Sequence, residues 1–224
     1  MTLTLSRTVT AFLAWIVTAA LSAQALAQPH AGHLPSFEDA EKWALLFDSP
    51  KRDARQKPAE VIRALALSPN AVVADIGAGT GYFSARLARA IPRGRVFGVD
   101  VEPNMVRYLS ERARREGLAN LTAVAGGPDD PRLPAAVDVA IMVDVFHHIG
   151  DRARYFRNLA RYLKPGGRVA IIDHLRAPGD PPEAMFIAPN RVKEELKRAG
   201  YSVAAEHKFL PNQYFLLFKR PAAG

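Results

Sequence analysis

Three groups of side chains in this sequence are spaced to do chemistry. Asp75 nearly closes the apolar run Val-Val-Ala-Asp75-Ile, after which glycine stands at every second position: Gly77, Gly79 and Gly81. A second apolar run, Val-Phe-Gly-Val, ends at Asp100, about 20 positions beyond the glycines. A third, Val-Ala-Ile-Met-Val, ends at Asp144, with His147 and His148 just past it. Glycines let a backbone take left-handed angles and approach a ligand closely. A carboxylate at the end of the next strand accepts from both hydroxyls of a ribose. A histidine titrates near neutrality, so it takes up a proton without needing a strongly basic medium.

Such groups converge only if the chain brings several strand ends to one edge. Strands are predicted near 71–76, 95–100, 121–125, 138–143 and 168–173, alternating with helices near 81–90, 104–116 and 151–163. Parallel strands need helical crossovers of this kind, so the fold class is α/β, a doubly wound, mostly parallel sheet with helices on both faces. Two helices are expected upstream. One runs from about Phe37, capped by Ser36 and ended by Asp48-Ser-Pro50; the other runs from Pro58 to Leu67. Downstream come a helix near 190–199 closed by Gly200, then strands at 202–209 and 213–219 joined by Leu210-Pro211-Asn212 as a C-terminal antiparallel hairpin. That makes seven strands.

The loop spacing discriminates between ligands. A dinucleotide fingerprint reads G-x-G-x-x-G and seats a pyrophosphate on a helix N-terminus. Here the spacing is G-x-G-x-G, with a carboxylate two residues before the first glycine. An acid there repels a pyrophosphate and suits a ligand carrying an ammonium and a sulfonium, as S-adenosylmethionine does. A short-chain dehydrogenase would share the sheet but needs a Tyr-x-x-x-Lys pair. No lysine stands four residues after Tyr82, Tyr108, Tyr155, Tyr162, Tyr201 or Tyr214.

These motifs, with Leu133-Pro134 after Asp129-Asp130, Asp138 to Ile149, and Leu163-Lys-Pro165-Gly166-Gly167 to Asp173, resemble the class I S-adenosylmethionine-dependent methyltransferases over roughly residues 58–219. The resemblance implies a Rossmann-like methyltransferase fold with the C-terminal hairpin at the sheet edge. It implies a cofactor held by Asp75, Gly77, Ala78, Gly79, Gly81, Asp100, Val101 and Asp144, with Asp129 or Asp130 at the adenine. Gly127-Pro128-Asp129-Asp130 departs from the family's commoner Asp-Ala spacing, which leaves open the choice between the two aspartates. The catalytic candidates beside the expected methyl group are His148, His147 and Asp144, with His148 placed first. Asp144 belongs to the cofactor wall or orients a histidine. In-line methyl transfer depends mainly on alignment, worth on the order of 7–11 kcal/mol. A base adds about 10²–10⁴-fold. Asp144, Asp173 and His174 end adjacent strands, but their donor set differs from the metal site of catechol-type relatives, and no metal is assigned. In small family members a segment ahead of the core closes over the site; here that makes Asp53, Arg55 and Gln56 candidates to line the pocket.

The whole chain bounds the partners. Its 224 residues, 49% of them hydrophobic, suffice for one ordinary core. Residues 1–27 read as a signal peptide. Arg7 is the only charge before residue 38, an uncharged run extends from Val9 to Leu21, and Ala25-Leu26-Ala27 is a cleavage site. The run is short of the ~20 residues of a membrane span. The domains are then the signal peptide, a leader with an N-terminal cap helix over 28–57, and the methyltransferase domain over 58–220. Export, to the periplasm, follows as an expectation. No stable membrane insertion is expected after cleavage. His30 and His33 lie in the leader, with no third ligand near. The chain lacks cysteine, so it has no disulfides. The net charge of +8, or +7 without Arg7, is spread over helix faces with no aromatic-and-basic strand motif, so nucleic acid is not expected. No insertion offers a platform for a macromolecular acceptor, which leaves a small molecule. The alternative is an envelope protein that binds or senses an adenosyl ligand without turning it over.

Overall fold

The structure is a computed structural model that describes residues 39–176 and 186–220. The expected signal peptide, its cleavage site, His30, His33 and the Ser36 cap lie outside the described residues. Seven strands, β1 (Val72–Ile76), β2 (Arg95–Asp100), β3 (Leu121–Ala125), β4 (Val137–Val143), β5 (Leu163–His174), β6 (Ser202–His207) and β7 (Gln213–Lys219), form one sheet. The order is β3-β2-β1-β4-β5-β7-β6. The first five strands run parallel; β7 is antiparallel to both β5 and β6, so the hairpin docks through its second strand. The chain winds outward from β1 to β3, then returns to place β4 on the other side of β1. That reversal opens a crevice at the carboxyl ends of β1 and β4, where ligands of such sheets bind.

Seven α-helices accompany the sheet among the described residues: α1 (Ala40–Phe47), α2 (Pro50–Gln56), α3 (Pro58–Ala64), α4 (Tyr82–Ala90), α5 (Pro103–Arg115), α6 (Arg152–Ala160) and α7 (Pro189–Arg198). Each buries one stripe. In α5, Met105, Leu109 and Ala113 recur every fourth residue and are buried, Glu102 caps its N-terminus, and Arg112, Arg114 and Arg115 crowd its last turn. These are the placements that complement orphan amides and the helix dipole. The α3, α4 and α5 stripes meet one face of the sheet through Val73, Val139, Ile141 and Ala170. The α6 and α7 stripes meet the other through Ala74, Ala140, Met142 and Ile171. Strand alternation sends neighbouring residues to opposite faces, and the central strands are apolar on both, as a doubly covered sheet demands. No helix among the described residues is long and apolar enough to cross a membrane.

Three boundaries differ from the sequence reading. The first helix is capped by Asp39, whose carboxylate accepts from Lys42 N at 3.0 Å. It ends at Phe47 with Asp48 as its C-cap, as expected, but Pro50 also opens a second helix, α2, at a position where a missing N–H costs nothing. Lys57, left-handed at φ 43°, then separates α2 from α3. The β5 ladder starts at Leu163, five residues before the expected strand, with a register shift against β4 between Val137 and Val139.

Candidate active site

The glycine loop leaves β1 and enters α4. Gly77 and Ala78 donate their amides to Val99 O (2.8 and 2.9 Å), and Gly79 N donates to Asp100 Oδ2 at 2.8 Å. Gly81 is left-handed at φ 89°, and a Cβ there would lie 2.3 Å from Leu109 Cδ1. Glycine is thus required both by angle and by the leucine beneath it. Asp100 also accepts from Glu102 N at 3.0 Å, so the backbone fixes both of its oxygens while each keeps capacity for a further donor. Burial raises its carboxyl above the ordinary value, opposed by those amide bonds. The next side chain, Val101, is 63% exposed, an apolar face beside the carboxylate.

Asp75 lies deeper than Gly77 and Gly79, which follow it. It shares the inner face of β1 with Val73 and is 3% exposed, turned into the seam with α4, where Ser84 Oγ donates to Oδ2 at 2.6 Å. Burial raises its pKa to about 6, against 3.8 for an ordinary aspartate. An acid with a raised folded pKa weakens the fold when ionised, and the penalty is relieved as pH falls through 6 toward the unfolded value. Asp75→Asn is therefore expected to gain stability relative to the native protein at pH 8, and that advantage should shrink by about 1.4 kcal/mol at pH 5. Urea midpoints of both proteins at the two pH values measure it; a pH-independent difference would contradict the burial argument.

The helices α1 and α2 lie over the loop. The Phe47 ring stands 3.5 Å from a Cβ position on Gly79, and Trp43 stacks on Phe47 with centroids 5.1 Å apart. Asp48 pairs with Arg112 (2.9 Å), which also donates to Thr80 O. Asp53, a sequence candidate, is taken up by Tyr82 Oη and by Arg86 at the surface. Arg55, another, is exposed. Gln56 is fully buried and donates to Asp144 Oδ2 at 2.8 Å. Sequence reasoning passed over Arg52. Its guanidinium lies 4.1 Å from the Tyr82 ring centroid and donates to Gln56 Oε1 (2.5 Å) and Phe47 O (3.0 Å).

Across the crevice, Asp144 is left-handed at φ 59°, an angle aspartate tolerates better than most residues. Gln56 and Gln213 donate to its two oxygens, and His174 Nε2 lies 3.3 Å from Oδ1. Burial raises its carboxyl, partly offset by His174. A carboxylate so supplied with donors orients its surroundings and is a poor proton acceptor for a substrate. His147 and His148 occupy the short 3-10 turn Phe146–His148. The His147 side chain is 5% exposed, and its Nδ1 lies 2.9 Å from both oxygens of buried Asp173. A carboxylate on Nδ1 fixes the tautomer with the proton there, leaving Nε2 as the acceptor. His148 is exposed, its ring 4.1 Å from that of His147, and desolvation and that ring lower its imidazole below the usual value. The sequence places His148 first; the structure gives His147 a buried carboxylate that orients its ring. Gln213, recruited from β7, had no local motif to betray it, and Asp173 was marked only as the end of its strand.

Asp144, Asp173 and His174 do come together, their ligand atoms within 4.8 Å of one another. Both carboxylates already accept N–H bonds from Gln56, Gln213, His147 and the His174 amide. The adenine candidates turn toward α6: Asp130 accepts from Arg132 N and pairs with Arg161, while Asp129 pairs with exposed Arg154. Asp130 is thereby committed to its own loop, and Asp129 keeps only a solvated partner.

Residues 73–167 match a family described as "Methyltransferase domain". Over that segment the chain resembles methyltransferase domains. A phosphoethanolamine N-methyltransferase of Triticum aestivum is 34% identical over 124 residues, 55% of this chain and 25% of that one. A trans-aconitate 2-methyltransferase of Rhodopseudomonas palustris (strain BisB18) is 29% identical over 59% of this chain and 48% of its own length. The chain thus spans a quarter to about half of these curated relatives. A solved methyltransferase from Aquifex aeolicus shares the fold at TM-score 0.74 and 23% identity, over 84% of this chain and all of that one. The methyltransferase cofactor fits the residues present: Asp100 has oxygens for two ribose hydroxyls, and Val101 offers an apolar face beside them.

Proposed function

We propose that this methyltransferase moves a methyl group from S-adenosylmethionine to a small-molecule acceptor, with His147 as the base. The buried His147–Asp173 pair is the observation that carries the reading. When bound, the cofactor supplies an electrophilic methyl on a sulfonium. Asp100 accepts from the ribose hydroxyls and Val101 lies against the adenine. Asp173 holds the imidazole so that Nε2 takes the acceptor's proton, and Phe47 with Arg52 roofs the glycine loop against water. Relatives named for phosphoethanolamine and trans-aconitate support a small polar acceptor. The test is transfer of tritiated methyl from the cofactor into pooled small amines, phosphoesters and carboxylic acids, followed by fractionation of the labelled product. Label incorporated by the native protein and not by His147→Ala supports the reading. Equal label in both would remove the base, and label in neither would remove the acceptor class.

The N-terminal pattern supports a second proposal, that the chain is exported and cleaved after Ala27. Protein recovered from the envelope should begin at Gln28 by N-terminal sequencing; an intact Met1 in a cytosolic fraction would contradict it.

A further inference from the structure

The outer face of α1 is built unlike that of a helix that only covers a core. Ala40, Ala44 and Phe47 recur at helical spacing on its inner side, where Phe47 faces Gly79. The outer side carries Leu45 and Leu46, 84% and 61% exposed. Lys42, also exposed, stands three and four residues before them and so lies between them on the helix surface. A surface helix ordinarily fills such positions with polar residues. Leu45 is the most exposed large apolar side chain among the described residues.

The charge around the leucines is the second observation. The acids of α1, α2 and the turn between them are answered by arginines of α4 and α5: Glu41 by Arg107 at 2.8 Å, Asp48 by Arg112 at 2.9 Å and Asp53 by Arg86 at 3.0 Å. Asp39 accepts from the Lys42 amide as the helix cap. Lys42, and Lys51 and Arg55 four apart on α2, are exposed, in a chain of net charge +8. A leucine pair with an ammonium between its members suits a lipid surface better than a protein one. The core of a protein interface is depleted in lysine, whose charge would be buried there. At a lipid surface the leucines enter the boundary of the acyl chains, while the lysine stem lies along them and its ammonium returns to the headgroups. Anionic headgroups then complement all three cations.

We infer that α1 and α2 dock this protein on an anionic lipid surface, with Leu45 and Leu46 entering the headgroup boundary and Lys42, Lys51 and Arg55 meeting lipid phosphates. Two leucines on a helix of eight residues give an attachment that dissociates and does not span the bilayer. Because Phe47 faces Gly79 from the inner side of the same helix, docking brings the roof of the glycine loop close to the lipid.

The test is sedimentation with vesicles of phosphatidylcholine alone and of phosphatidylcholine and phosphatidylglycerol in equal parts, each at low and high salt. The native full chain is compared with Leu45→Gln/Leu46→Gln and with Lys42→Gln/Lys51→Gln/Arg55→Gln. The apolar run from Val9 to Leu21 is common to all three, so only the differences among them are read. Either set of substitutions should weaken partitioning onto the anionic vesicles at least about 10-fold, and the charge variant should also show a smaller salt dependence than the native chain. The substituted side chains are exposed, so both variants should keep the native thermal transition. Equal partitioning of all three proteins would overturn the proposal, as would native binding indifferent to phosphatidylglycerol. A native dimer that Leu45→Gln/Leu46→Gln dissociates, with no difference on vesicles, would assign the face to a second copy and overturn it as well.

Discussion

His147→Ala is expected to lower kcat by about 10²–10⁴-fold on an acceptor that must lose a proton, with little change in the KM for the cofactor. The split follows from the geometry. His147 reaches no group that holds the ribose, and its one strong partner is Asp173, with both oxygens 2.9 Å from Nδ1. Removing the ring removes the acceptor nitrogen and leaves Asp100 and the glycine loop in place. His148→Ala is the control. Its ring is exposed and lies outside the buried pair of His147 with Asp173, so its loss should change kcat by less than about 3-fold. Steady-state rates of the two variants decide the matter. A large loss in His148→Ala with a small one in His147→Ala would restore the preference read from sequence and refute the dyad.

Asp100→Ala should weaken cofactor binding by roughly 3 kcal/mol or more, about 10²-fold at least. Two hydrogen bonds from ribose hydroxyls to a charged acceptor are lost at about 1.5–3 kcal/mol each. The substitution also orphans Gly79 N, which donates to Asp100 at 2.8 Å, so part of the loss is loop disorder. Asp100→Asn divides these contributions, because the amide oxygen still accepts from Gly79 while its nitrogen cannot accept from a hydroxyl. Calorimetric affinities should therefore fall in the order native, Asn, Ala. Equal affinity in all three would place the ribose elsewhere.

The sheet was legible because its signals are local. Apolar runs closed by turn glycines located the strands, and β2, β3 and β7 fall where alternation and composition place them. The glycine loop was legible for the same reason, since spacing along a few residues sets its shape. What the sequence hid was made by distant segments meeting. The bond from Ser84 to Asp75, nine residues apart, forms because strand alternation turns the carboxylate toward α4. The dyad joins residues 26 apart, and the Asp144 hub gathers Gln56 from 88 residues upstream and Gln213 from 69 downstream. No spacing rule reports such pairs. Arg52 looked like one more charge in a charged helix, and only its place between Phe47 and Tyr82 distinguishes it from exposed Arg55. Pro50 marked the end of α1 correctly, but it also begins α2, since proline both ends and begins helices.

The most direct test of the whole account is a calorimetric titration of the purified full chain with S-adenosylmethionine. One site per chain with micromolar affinity is the predicted result; typical enzyme substrates bind at about 1 μM to 1 mM. No detectable heat at millimolar ligand, from protein with a cooperative thermal transition, would mean that the crevice between β1 and β4 serves a different molecule and that the methyl-transfer reading is wrong.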